Sequence, residues 1–98
     1  MHRIHLRGFW DKDHPVPGRV RFTRRFGRPT LSPGQKVFLV LDSPLPAVQV
    51  AINGEPLSLE AVGLRYQSIP LSPRNGLSVE GDGDADSPEP VVVIEIED

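Results

Sequence analysis

Proline and glycine punctuate this chain so densely that a long helix has no room to form: 11 prolines and 9 glycines fall within 98 residues. Proline removes a backbone donor and clashes inside a helix, and glycine weakens one by roughly 1 kcal/mol. What lies between the breaks alternates apolar and polar side chains with the period of two of a half-buried strand. Ile4 and Leu6 point one way and His5 and Arg7 the other. Val20, Phe22, Arg24 and Phe26 share one parity, with Arg19, Arg21, Thr23 and Arg25 on the other. Arg24 is the exception on its apolar side, expected to reach out near a sheet edge or to meet a carboxylate.

Val37-Phe38-Leu39-Val40-Leu41 is apolar on both parities and predicts a central strand covered on both sides. Val48, Val50 and Ile52 form the next strand, and Asn53-Gly54 predicts a type I′ hairpin turn, because both residues accept positive φ. Glu55-Pro56-Leu57 starts a short return strand. Gly63 argues against a helix over Leu59 to Leu64. A short strand or bend over Tyr66 to Leu71 follows, then a turn over Ser72-Pro73-Arg74-Asn75-Gly76. Leu77 and Val79 face together, and Gly81 to Pro90 predicts an exposed, mobile acidic loop. The last strand, Val91 to Glu97, turns Val92, Ile94 and Ile96 inward and Glu95 and Glu97 outward. The expected fold is all-β: one domain over residues 1–98, a two-sheet antiparallel sandwich of about eight strands.

The formal charge of −2 hides a gradient. Residues 1–28 carry eight basic groups against Asp11 and Asp13, residues 29–79 are balanced, and residues 80–98 carry eight acids and no base. The plain reading is that the first and last strands lie side by side and neutralise each other. Met1-His2-Arg3 opens on charge with no apolar run behind it, and no segment approaches the ~20 apolar residues of a membrane span. A cytoplasmic location, with no membrane partner, is the default reading. The absence of cysteine excludes a disulfide framework, a thiol nucleophile and a cysteine-ligated metal.

The middle of the chain resembles a known family. Arg24-Arg25-Phe26, the turn at Ser32 to Gln35, the strand Val37 to Leu41, and Ala47-Val48-Gln49-Val50-Ala51-Ile52-Asn53-Gly54-Glu55 look like the galactose-binding-like jelly roll. The resemblance is to the N-terminal sugar-binding domains of family 2 glycoside hydrolases of the β-galactosidase and β-glucuronidase type. Tyr66 to Leu71 and Pro73-Arg74-Asn75-Gly76-Leu77-Ser78-Val79 are similar to the closing element and its asparagine-containing turn. The resemblance spans roughly residues 20–80 and implies an antiparallel jelly roll acting as a scaffold beside other domains. The aromatic-rich segment that follows Asn-Gly in those domains is missing or much shortened here.

Chemistry-bearing motifs are few. There is no HExxH, no P-loop and no Gly-x-Ser-x-Gly, and the carboxylates are mostly tail and loop residues, so a non-enzymatic role is expected. Asp82-x-Asp84-x-Asp86 matches the start of a calcium loop, with Glu89 as a further oxygen donor, but Ser87 replaces its glycine and position 12 is Val93. No cofactor is expected, with calcium at this loop as the alternative. His2, His5, Asp11, Asp13 and His14 could offer zinc ligands, at a spacing that is not diagnostic. A carbohydrate site would use the amphipathic rings of Trp10 and Tyr66, with Asp11, Asp13 and His14 as a polar rim. Against this, a core or edge plug covering the open end of the sandwich is the favoured role of Trp10, given so few large rings. Arg19, Arg21 and Arg25 form a basic stripe, but no stacking aromatics share its side, which disfavours nucleic acid. A non-catalytic scaffold or protein-interaction domain, with a protein partner or self-association, is the broadest reading. The alternative is a carbohydrate-binding module acting near Trp10.

Overall fold

A computed structural model describes residues 2–41, 48–57, 65–67 and 72–98, the side chains of 65–67 excepted. Among these residues nine strands follow in chain order: β1 (His2–His5), β2 (Asp11–Asp13), β3 (Arg19–Gly27), β4 (Lys36–Leu41), β5 (Gln49–Ile52), β6 (Glu55–Pro56), β7 (Arg65–Gln67), β8 (Arg74–Asp82) and β9 (Val92–Glu97). They form two antiparallel sheets, one ordered β1-β9-β4-β7 and the other β2-β3-β8-β5-β6. No helix among the described residues is long and apolar enough to cross a membrane.

The pairing explains the architecture. β1 pairs with β9, β3 with β8, β4 with β7 and β5 with β6. These are the successive rungs of one long hairpin, from its open ends to its tip. Rolled up, the hairpin places alternate rungs in opposite sheets, and β4·β9 and β5·β8 join rungs within each sheet. That is the jelly-roll connection, with β2 as one extra strand on the edge beside β3. β2 is Asp-Lys-Asp and exposed throughout, which suits an edge that must not recruit another strand.

The core lies between the sheets. Leu6, Val37, Leu39, Leu41, Val50, Ile52, Leu77, Val79, Val92 and Ile94 form one buried cluster, with Ile4, Trp10, Phe26, Val48 and Leu57 packed against it. Alternation along β3 buries Val20 and Phe22 as expected. Asn53 and Gly54 take φ of 53° and 82°, the positive values a type I′ turn needs.

Three local expectations need correction. Glu95, expected outward on the last strand, is only 6% exposed. β9 is an interior strand, so Arg3 from β1 and Phe38 from β4 stand directly opposite Glu95 and cover it. Arg3 Nε meets its carboxylate at 2.9 Å, which brings the basic first strand and the acidic last strand together as charge had implied. Arg74-Asn75-Gly76, expected within a turn, already belongs to β8. The acidic segment is exposed at Asp84, Ala85 and Asp86 as expected, but Gly81 and Asp82 already belong to β8, and hydrogen bonds tie the turn that follows. The Gly83 amide donates to the Gly18 carbonyl at 3.0 Å, and Lys12 Nζ donates to the carbonyls of Ala85 and Ser87. A Cβ on Gly83 would stand 2.7 Å from Val20 Cγ1, so glycine is what lets the loop lie on the core here.

Candidate functional site

Strand parity assigns Arg19, Arg21, Thr23 and Arg25 of β3, and Arg74, Gly76, Ser78, Glu80 and Asp82 of β8, to the outer face of the five-stranded sheet. Register then sets the neighbours. Arg19 stands opposite Asp82 and Arg21 opposite Glu80, with Asp13 of β2 on the other flank of Arg21. Arg19 reaches Asp82 and Glu80 at 3.0 Å each, and Arg21 grips Asp13 through two bonds of 2.6 and 3.1 Å. The hydrogen bonds from Arg21 hold the Asp13 carboxyl below the usual carboxylate range. The same pairings raise both arginines above their ordinary values, Glu80 then Asp82 acting on Arg19 and Asp13 acting on Arg21.

Beyond Thr23 and Ser78 the face carries no ion pair between described residues. Arg25 stands opposite Gly76, and Arg74 opposite Gly27, so each arginine faces a residue with no side chain. Both are exposed, and neither makes an ion pair with a described residue. Here the face opens into a cavity of about 720 Å³ lined by Phe9, Asp11, Thr23, Arg25, Gly76 and Ser78, with the Asn53-Gly54 turn along its side. A second depression of about 480 Å³ adjoins it at Ser78 and continues over Gln49, Ala51 and Pro56.

Phe9 is the unusual element. It is 90% exposed and holds φ at 58°, directly after Gly8 at 68°. A bulky residue at positive φ is strained, and a bare phenyl ring forgoes roughly 2 kcal/mol of burial. The conformation is fastened by Arg24, whose Nε donates to the Gly8 carbonyl at 2.9 Å while Nη1 donates to the Arg25 carbonyl at 3.3 Å. The same guanidinium lies 6.0 Å from the centre of the Phe9 ring. Arg24 thus resolves its own anomaly on the apolar side of β3: it meets backbone carbonyls rather than a carboxylate.

The predicted site residues scatter. Trp10 turns inward, packs against the core and donates its indole N–H to the Leu6 carbonyl at 3.2 Å. Asp11 lines the cavity, Asp13 is bound to Arg21, and His14 Nδ1 lies 3.2 Å from the Arg19 carbonyl, which requires its proton on that nitrogen. The Tyr66 side chain lies outside the described residues. Of the basic stripe, Arg19 and Arg21 are paired and Arg25 borders the cavity. Asp82 serves Arg19, Asp84 Oδ1 accepts the Asp86 amide at 2.9 Å, and Glu89 lines a depression that Trp10 also borders. Among the described residues no three acids or histidines gather as a metal would need. Sequence reasoning passed over Phe9; a ring directly after a glycine, beside a more amphipathic tryptophan, was the available signal. Compared with family models, curated proteins and solved structures, the chain matches none of them.

Proposed function

We propose that this chain is a non-catalytic jelly-roll module that works by binding a partner protein across the outer face of its five-stranded sheet. The observation that carries the reading is Phe9, held outward on a strained backbone by Arg24 at the edge of the cavity. Strain maintained by specific bonds argues for a use of the exposed group. An aromatic anchor beside small floor residues is a common centre for a protein interface. The resemblance to galactose-binding-like scaffolds fits a module that presents a face to its surroundings.

A carbohydrate reading has its own support. Phe9 with Asp11, Asn53 and Ser78 sets a ring beside a carboxylate, an amide and a hydroxyl, the groups that receive a sugar. One pair of experiments separates the two. A displayed peptide library and a polysaccharide panel are each screened against the wild type and Phe9→Ser. The protein reading expects selected peptides that lose binding on Phe9→Ser, and polysaccharides that bind neither protein. Polysaccharide binding that depends on Phe9 would install the second reading. Binding that ignores Phe9 in both screens would sink both.

A further inference from the structure

Resting on the protein-binding reading above, we infer that the partner is an extended segment with acidic residues on one side of an apolar residue, its carboxylates held by Arg25 and Arg74. Charge complementarity identifies it. On this face Arg19 and Arg21 are engaged by Glu80, Asp82 and Asp13. Arg25 and Arg74 are diagonal neighbours across the β3–β8 pair, exposed, and without an ion pair to any described residue. Guanidinium groups bind carboxylates through paired, charge-assisted bonds, so two adjacent unengaged ones favour two nearby carboxylates.

The shape of the trough sets the rest of the ligand. Gly76 contributes no side chain, and a Cβ built on it would meet nothing within 4 Å, so another backbone can approach the sheet closely. Phe9 offers an apolar surface at the lip, against which an apolar side chain of the ligand can pack. Asp11 lines the same cavity and repels a carboxylate there. The acids of the ligand therefore lie toward Arg25 and Arg74, and a cation or amide faces Asp11. This arrangement sets the order of charged and apolar residues along the segment as well as its composition.

The test uses the full chain and fluorescence anisotropy of a labelled peptide carrying one lysine, then one leucine, then two glutamates. The expected result is saturable binding that weakens as salt rises. Arg25→Gln and Arg74→Gln should each weaken it about tenfold, the effect of losing a charged hydrogen bond. Arg21→Gln, on the same strand and face but already paired, should change it less than about twofold. Circular dichroism confirms that each variant is folded. Loss equal in Arg21→Gln and Arg25→Gln overturns the inference, as does equal binding of a peptide with lysines in place of the glutamates. Displacement of the peptide by a heparin oligosaccharide or a single-stranded oligonucleotide, with tighter binding of that competitor through the same arginines, also overturns it. No binding of the acidic peptide, while library-selected peptides still depend on Phe9, refutes the acidic partner and leaves the binding face intact.

Discussion

The two ends of the β3–β8 pair are held together by different forces. Toward Arg19 the outer face is laced by ion pairs to Asp13, Glu80 and Asp82. Toward Arg25 and Arg74 the surface charges have no such partners among the described residues, and the strands are joined underneath by amides. Asn75 is 2% exposed, and its side chain uses every bonding position it has. Its oxygen accepts from the Ser72 amide at 2.8 Å and from Asn53 Nδ2 at 3.1 Å. Its nitrogen donates to the Ser72 carbonyl at 2.9 Å and the Phe26 carbonyl at 3.4 Å. Asn53 completes the join: its side-chain oxygen accepts the Gly76 amide, and its own amide donates to the Gly76 carbonyl, both at 2.9 Å. Fastening from beneath leaves the surface arginines available. The same strands thus carry a closed half and an open half.

Asn75→Ala attacks that fastening and should have the largest effect. It strands the Ser72 amide and carbonyl, the Phe26 carbonyl and the Asn53 side chain, all beside a buried position. We expect a loss of about 3 kcal/mol, read as a lower urea midpoint with an unchanged slope. A loss no greater than that of a surface substitution would mean that the open end is held by something other than its amides.

Most of the scaffold was legible in the residues because alternation, proline and Asn-Gly are local signals. Val20 and Phe22 face inward, and Asn53-Gly54 turns, for reasons contained within a few positions. Glu95 and Asn75 were misread because their environment comes from strands far away in sequence. The burial of Glu95 depends on Arg3 and Phe38, and Asn75 looks like a turn residue until Phe26 and Asn53 are placed beside it. The candidate face was less legible still. Sequence shows a stripe of arginines, but only register reveals that Arg19 and Arg21 meet acids while Arg25 and Arg74 meet glycines.

Arg24→Met tests how the open half aims its ring. Methionine keeps the apolar stem but loses the guanidinium that binds the Gly8 and Arg25 carbonyls. Stability should fall by about 1 kcal/mol, the usual worth of such bonds at a partly exposed site. The sharper readout is limited chymotrypsin digestion, with cleavage after Phe9 faster in Arg24→Met than in the wild type. Unchanged cleavage would show that the Gly8–Phe9 conformation holds without Arg24.

The smallest expected effect lies in the closed half, and its sign separates the two halves. Asp13 has its carboxyl held below the ordinary value by hydrogen bonds from Arg21. A carboxyl that is more acidic when folded than when unfolded stabilises the fold above its unfolded pKa, near 4. That contribution is lost as pH falls through the lower folded value. Asp13→Asn should therefore be slightly less stable than the wild type at pH 7, with the gap closing below about pH 4. Added salt should narrow the same gap at neutral pH, because both partners face water. Arg25→Gln removes a cation that no described carboxylate engages, so its stability should follow the wild type across the acid range. Urea melts of the three proteins from pH 7 to pH 2.5 measure this directly. If Arg25→Gln is instead less stable than the wild type at pH 7, with the gap closing below about pH 4 as for Asp13→Asn, Arg25 has a carboxylate partner within the fold, and the open half is closed after all.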